Sequence, residues 1–296
     1  MKYPVPDLAL RSRECWCGCS LAWTLYSTDR WGQNLQSVVC RACGTLRLDP
    51  RMDRIQAADY YANAYPERQL DAQSVFLDQI KMRSSAYLRE WIKPNLSILD
   101  YGCGPGGKLA DLARRGFRIS GFDINPDYLC FAESQGIPPV QRGQRFDVIY
   151  LSHTLEHWTD PLGDLEDVIN LYLRLGGTLI IEVPLIDRLL LGSRRDGIHG
   201  DIYFVHAWYF TVRSLDKLMG ALGCQRIDTD RLTRCVYTYN CPRRAVASTP
   251  AGDAVLRAMI RLCSLPVIST LAPLLNRVTG YIDVSAAITI NPKEAR

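Results

Sequence analysis

From residue 96 onward, short apolar runs alternate with amphipathic stretches, a pattern that few folds accept. The runs are Ile98–Tyr101, Ile119–Asp123, Phe146–Leu151 and Thr178–Pro184. Strands buried on both faces of a parallel sheet read this way, because helices cover the sheet from either side. Between them the periodicity predicts helices over Lys108–Arg115, Asp127–Gln135 and Pro161–Arg174, and a shorter one over Leu215–Leu222. The third has Thr159 or Asp160 as its N-cap, Pro161 in the first turn and Gly176-Gly177 as its stop. Alternation of this kind predicts a doubly wound α/β domain.

The chain ahead of this domain has a different texture. Residues 1–50 are rich in Cys, Trp and turn formers, with short strand-like pieces at Ser37–Val39 and Thr45–Leu48 before Asp49-Pro50. Residues 51–95 read as a helical, tyrosine-rich lid or linker that Lys93-Pro94 ends. The expected division is therefore 1–50, 51–95 and 96–296. After the domain's last helix, 226–239 and 282–290 look like strands. An apolar, roughly helical insert spans 250–279 between them. The insert is expected to pack on the sheet or a second copy, with contact to a membrane surface or a lipid-linked acceptor as the alternative.

The N-terminus has no apolar signal core, and no uninterrupted apolar run reaches the length of a bilayer span, which points to the cytoplasm. Five of the 11 Cys fall between Cys15 and Cys43, a clustering that favours metal ligation over disulfides in such a chain. Cys40 and Cys43 form a knuckle with Gly44 behind it, and Cys15 and Cys17 make an irregular partner pair. Four sulfurs leave no open position, so the metal expected here is structural zinc, with Cys19 as a spare ligand. A segment of this length has too little core of its own, and the ion would supply what is missing.

The run Gly102-Cys103-Gly104-Pro105-Gly106-Gly107 follows the first predicted strand and precedes a helix. Small residues there let the backbone turn tightly and come close to a ligand, with helix-start N–H groups facing it. Asp123 ends the next strand, where a carboxylate accepts both hydroxyls of an adenosine ribose, and Ile124 beside it is placed to cover the adenine. Gly102, Gly104 and Gly107 also satisfy the dinucleotide fingerprint, so a nicotinamide-dependent dehydrogenase is one alternative.

Taken in order, Ile98–Gly107, Gly121–Asn125, Phe146–Ile149 through Leu155-Glu156-His157, and Leu175–Pro184 resemble the class I S-adenosylmethionine-dependent methyltransferases. The resemblance implies a Rossmann-like, seven-stranded sheet whose final strand is antiparallel, a strand that Ile282–Ile290 is expected to supply. It also implies that Asp100 and the backbone of Gly102, Cys103 and Gly104 hold the methionine part of the cofactor, Asp123 the ribose, and that Ser152 lies near the sulfonium. The segment 136–146 lacks the acid that many such enzymes place against the adenine amino group, leaving Gln141 or a backbone group for that contact.

The cysteine cluster followed by Asp59–Tyr65 is similar to a narrower group, methyltransferases with an N-terminal zinc-ribbon-like module that act on sugars or in polysaccharide gene clusters. In that group Tyr61 and Tyr65 would reach the cofactor carboxylate or the substrate, or else pack within a helix. All four His lie between His153 and His206. In the sugar C-methyltransferases a Tyr-x-Glu-His stretch carries acid/base chemistry, and Tyr203 and His206 match it while Val205 stands in place of the Glu. The expected base is His206, with Tyr203 beside it and His157 either catalytic or held by backbone. Losing the Glu favours a hydroxyl over a carbon acceptor.

The expected function is thus methyl transfer to a small, sugar-containing acceptor. The alternatives are an RNA methyltransferase whose zinc module grips RNA, and a non-catalytic cofactor-binding scaffold. With 35 Lys and Arg against 31 Asp and Glu and no basic block longer than two residues, the charge pattern argues against nucleic acid.

Overall fold

A computed structural model describes residues 14–63, 71–82, 85–187, 197–230 and 233–240. Tyr65, the apolar insert and the strand expected at 282–290 lie outside the described residues.

Two sheets organise the chain. The first is antiparallel and is opened by β1 (Ala22–Thr28), β2 (Asn34–Cys40) and β3 (Leu46–Leu48). Three helices follow: α1 (Arg54–Asn63), α2 (Ala72–Met82) and α3 (Ser85–Trp91). The second sheet holds β4 (Ser97–Tyr101), β5 (Arg118–Phe122), β6 (Phe146–Ser152) and β7 (Leu173–Glu182), joined by α4 (Ala110–Arg114), α5 (Pro126–Ser134) and α6 (Pro161–Tyr172). Beyond these come β8 (Trp208–Tyr209), α7 (Val212–Ala221), β9 (Cys224–Thr229) and β10 (Arg234–Tyr239).

Local chemistry explains where the helices begin. Asn125 accepts the Asp127 N–H and Asp160 the Gly163 N–H, each followed by a Pro in the first turn. Thr211 and Ser214 form a reciprocal capping box ahead of α7. Helix α6 buries Pro161, Leu165, Val168 and Ile169, an i, i+4, i+7, i+8 stripe laid against the sheet.

The second sheet runs β5-β4-β6-β7-β10-β9, with the first four strands parallel and β10 antiparallel to both neighbours. The architecture is the mixed α/β, Rossmann-like one the sequence predicts, with three corrections. First, the stretch 226–239 is not one strand but part of a hairpin, β9 and β10, whose second strand runs antiparallel to β7. Second, six strands are built among the described residues. Where a seventh would flank β5 there is a lone parallel bridge between Gly121 and Pro139. Pro138 and Pro139 have no N–H to continue a ladder, so pairing stops there. Third, Gly176-Gly177 does not stop a helix: α6 ends at Tyr172 and the glycines sit inside β7. There the register jumps between Phe146↔Leu173 and Val148↔Thr178, a bulge that small residues tolerate.

The first sheet has the order β1-β2-β3-β8, so its last strand comes from far along the chain, pairing Leu46 with Tyr209 and Arg47 with Trp208. One core unites Leu35, Val39, Leu46 and Leu48 with Tyr60, Ile202, Phe204, Val205 and Tyr209. Arg51 lies 4.2 Å over the Trp208 ring, and burial lowers its guanidinium to about 10. The opening sheet and the loop before α7 are thus folded as one unit. Their shared core sets the position of the side chains on that loop.

Candidate active site

At the carboxyl end of β4 the chain turns through Gly102 and Gly104, both with positive φ (82° and 55°). The turn is fixed by backbone bonds: Gly102 and Cys103 each donate to the Phe122 carbonyl, at 2.7 and 3.0 Å. Asp123 completes it. One carboxylate oxygen accepts the Gly104 N–H (2.7 Å) and the other the Asn125 N–H (2.8 Å). A carboxylate has about four lone-pair positions, so two remain for the paired hydroxyls of a ribose. Ile124, next in the chain, is 75% exposed at the rim, where an adenine face would find it.

Asp100 lies at the floor of the turn. It is 1% exposed, and its Oδ2 has no hydrogen-bond partner. Burial, reinforced by the charge of Asp123, pushes its carboxyl up to about 8. An orphaned buried oxygen beside a tight glycine turn fits the cationic amino end of S-adenosylmethionine, which would supply the missing partner. Because the pKa is raised, Asp100 is mostly protonated below pH 8, and a cationic ligand favours the ionised form. Binding of S-adenosylhomocysteine at pH 7 is therefore expected to release close to one proton, read from the dependence of calorimetric heat on buffer ionisation enthalpy. Asp100→Asn is expected to abolish that release; a parent protein that releases none would remove Asp100 from the ligand's amino group.

Other predicted residues fall in different places. Cys103 is buried against β5, and its Sγ donates to the Gly104 carbonyl. Ser152 donates to Glu182 Oε2 (2.9 Å), in a network where Tyr150 also donates to Glu182 and Arg234 pairs with Glu182 at 2.6 Å. Tyr61, on α1, reaches not the glycine turn but His157, its hydroxyl 3.2 Å from Nδ1. Gln141 lies in a turn closed by its own N–H to Gln144.

Sequence reasoning missed two packing partners of the glycine turn. Gln79 of α2 accepts the Gly107 N–H (2.7 Å) and donates to the Cys103 carbonyl (3.2 Å). A Cβ on Gly102 would stand 2.3 Å from Thr154 Oγ1, and one on Gly104 2.6 Å from Gln79 Nε2. These glycines therefore serve close packing as well as ligand approach. No local signal in the sequence ties Gln79 to the turn.

A short 3-10 turn, Leu155–His157, follows β6 and faces the loop that ends in β8. His206, on that loop, is 8% exposed; its Nε2 lies 2.6 Å from the Tyr203 hydroxyl, and its Nδ1 has no partner. Burial, aided by the neighbouring His157, holds the imidazole well below its ordinary pKa, so it is neutral. The rings of His157 and His206 are 4.8 Å apart, and His157 Nδ1 lies 3.1 Å from the Val205 carbonyl. Glu156, which precedes His157, is 1% exposed. Burial alone would raise its carboxyl, but the His153 ring, 3.3 Å from Oε1, and the other imidazoles around it hold it down at about 2. His199 is elsewhere, with Nε2 3.0 Å from the Thr28 carbonyl.

In the first sheet, the sulfurs of Cys15, Cys17, Cys40 and Cys43 all lie within 4.8 Å of one another, with Cys15–Cys43 at 3.4 Å and Cys17–Cys40 at 3.6 Å. Four sulfurs about 2.3 Å from a tetrahedral zinc stand roughly 3.8 Å apart, so the cluster fits that ion. The hydrogen bond with Cys15 draws Cys17 down to about 7, which puts a thiolate within reach near neutrality. Cys19 Sγ points instead to the Leu21 carbonyl.

A crevice at the carboxyl ends of parallel strands, with an acid on the second strand, defines a nucleotide-cofactor enzyme of the doubly wound class. The methyltransferase domain family matches residues 74–229, and the chain belongs to that family. It is an S-adenosylmethionine-dependent methyltransferase, which sets aside the nicotinamide reading of the glycines. The magnesium-protoporphyrin O-methyltransferase of Rhodobacter capsulatus is 28% identical over 169 residues, covering 49% of this chain and 69% of that one. Among solved structures, the plantazolicin methyltransferase BpumL, in complex with a monoazolic desmethylPZN analog and SAH, covers 62% of this chain and 94% of its own at 15% identity and a TM-score of 0.41. TnmH covers 62% of this chain and 61% of its own at 18% identity and a TM-score of 0.48. None of the described helices is long and apolar enough to cross a membrane.

Proposed function

We propose that the chain transfers the methyl group to a hydroxyl oxygen of a small, sugar-containing acceptor bound over His206, Tyr203 and His157. The observation that carries this reading is the buried, neutral His206 with an unpartnered Nδ1, on a loop facing the turn that follows β6. When bound, S-adenosylmethionine supplies a methyl group already activated by its sulfonium; the protein's work is alignment and proton removal. Asp100 and the Gly102–Gly104 backbone hold the methionine end, Asp123 the ribose and Ile124 the adenine, with Ser152 near the sulfonium. His206 takes the hydroxyl proton, and Tyr203, bonded to Nε2, fixes the ring. Tyr61 and the Val205 carbonyl orient His157. Oxygen is favoured over carbon because Val205 replaces the acid of the C-methylating pattern, and because the R. capsulatus relative is named an O-methyltransferase.

Zinc in the Cys15, Cys17, Cys40 and Cys43 site is proposed to be structural, holding a module of residues 1–50 against the methyltransferase domain of 96–296, with 51–95 as the lid between them. The Lys217 ammonium donates to the Ala42 and Cys43 carbonyls, at 3.1 and 3.2 Å, and so sets a positive charge beside a tetrathiolate.

The test is methyl transfer from labelled cofactor to a panel of sugars and nucleotide sugars, followed on the best acceptor by His206→Ala. Turnover is expected to fall about 10²- to 10⁴-fold, the usual share of a general base, with S-adenosylhomocysteine affinity unchanged. Unchanged turnover would remove His206 from the chemistry.

A further inference from the structure

Glu156, His157 and His206 each offer one donor atom, and the three atoms lie within 4.8 Å of one another. The hydrogen bonds around them leave donors free in a particular way. His157 is engaged at Nδ1 by the Val205 carbonyl and the Tyr61 hydroxyl, which leaves Nε2. His206 is engaged at Nε2 by Tyr203, which leaves Nδ1, buried and unpartnered. Neither oxygen of Glu156 has a hydrogen bond of good geometry, although the residue is almost completely buried; its one ion pair is with His153, 3.3 Å away on the exposed side.

An imidazole that ligates a metal ordinarily donates its other N–H to a carbonyl, carboxylate or water, which fixes the ring and the tautomer. Both imidazoles have such a fixing contact here, and one ring nitrogen of each lies within 4.8 Å of an oxygen of the buried Glu156 carboxylate. A carboxylate this deeply buried, whose one charged contact is the half-exposed His153 ring, is stabilised by a further cation beside it. We infer that Glu156, His157 and His206 form a binding site for a divalent transition-metal ion, distinct from the cysteine cluster. Two nitrogens and one oxygen suit zinc, cobalt, manganese or iron(II), and three protein ligands leave open positions for an acceptor's oxygen. At bond lengths of about 2.1 Å the donors of a tetrahedral site stand roughly 3.4 Å apart, so side-chain rotations of about an ångström close the set.

The role of this ion, though not its binding, rests on the proposed methyl transfer. With Nδ1 of His206 committed to a metal, that nitrogen no longer accepts a proton. His206 is therefore the base only in metal-free protein; in the loaded state the ion would lower the pKa of an acceptor hydroxyl, whose proton leaves to solvent.

The test uses full-length protein stripped with a chelator and reloaded with cobalt(II) alone, comparing the parent with Glu156→Gln. The variant is expected to hold one equivalent of cobalt fewer per chain by emission spectrometry, with the thiolate-to-cobalt charge-transfer absorption unchanged. In the parent, proton NMR is expected to show two hyperfine-shifted, exchangeable imidazole N–H resonances, one for each ligand histidine. Equal cobalt content in the two proteins, or a cobalt-loaded parent without those resonances, overturns the inference. Should Glu156→Gln fail to fold by circular dichroism, the parent spectrum decides. A parent that binds the extra cobalt but methylates no acceptor refutes the proposed function and leaves the metal site standing.

Discussion

Asp123→Ala is expected to weaken S-adenosylhomocysteine binding on the order of a hundredfold by calorimetry, without unfolding the sheet. Two effects add. The ribose loses two hydrogen bonds to a charged acceptor, each contributing roughly 1.5–3 kcal/mol when buried, and about 3 kcal/mol in total is already a hundredfold in Kd. The Gly104 and Asn125 N–H groups lose the acceptor that joins the glycine turn to the start of α5, so the pocket is also less well preformed. Asp123→Asn, which keeps one oxygen and no charge, should fall between the parent and the alanine variant. Parent-like affinity in Asp123→Ala would overturn the assignment of the ribose to this carboxylate, and with it the placement of the cofactor at β4 and β5.

The second large effect is expected from emptying the zinc site proposed at the cysteine cluster. Zinc held by four thiolates contributes on the order of 10 kcal/mol or more to small modules that fold around it. A strong chelator, or Cys40→Ser, should therefore melt the opening sheet in a transition separate from, and below, that of the second sheet. The consequence for function is specific. Residue 208 lies in that sheet, two positions past His206, so turnover should collapse while binding of S-adenosylhomocysteine, seated on the other sheet, persists. Metal analysis that finds no zinc in protein purified without chelators, or turnover that survives complete removal of it, would overturn this account.

How far the sequence went depended on the range of the interactions involved. The parallel strands were legible because Val148–Leu151 and Leu179–Ile181 are buried on both faces and read as unbroken apolar runs. The cap at Asp160 and the acid at Asp123 depend on neighbours only a few residues away. Features set by distant partners were not legible. Strand β8 is two residues long and is defined only by Leu46 and Arg47 on the other side of the chain's midpoint. The glycines at 176 and 177 carry the ordinary signal for a helix stop, and only the mismatch with β6 turns them into a bulge. Pro138 and Pro139 were in plain view, but what they interrupt is visible only once Gly121 is seen beside them.

The site divides in the same way. The glycine turn and Asp123 are one strand apart and could be read together. Glu156 could be noticed only as a member of Leu155-Glu156-His157, and nothing local says that it faces His206 fifty positions later. Gln79 lies in a helix whose only visible signal is an apolar face. Tyr61, expected at the cofactor carboxylate or the substrate, stands at His157, because α1 packs on the loop bearing Phe204.

The borrowed strand at Trp208 and Tyr209 also governs how this enzyme can be cut. A fragment trimmed to the matched family segment would strip β8 of its ladder with β3 and uncover Tyr209, whose core partners Leu46 and Leu48 would be gone, inviting aggregation. A chimera that trades in a different amino-terminal module would have to supply an edge that accepts this foreign strand. The natural exchangeable cassette is thus discontinuous, pairing the first fifty residues with the loop that precedes α7.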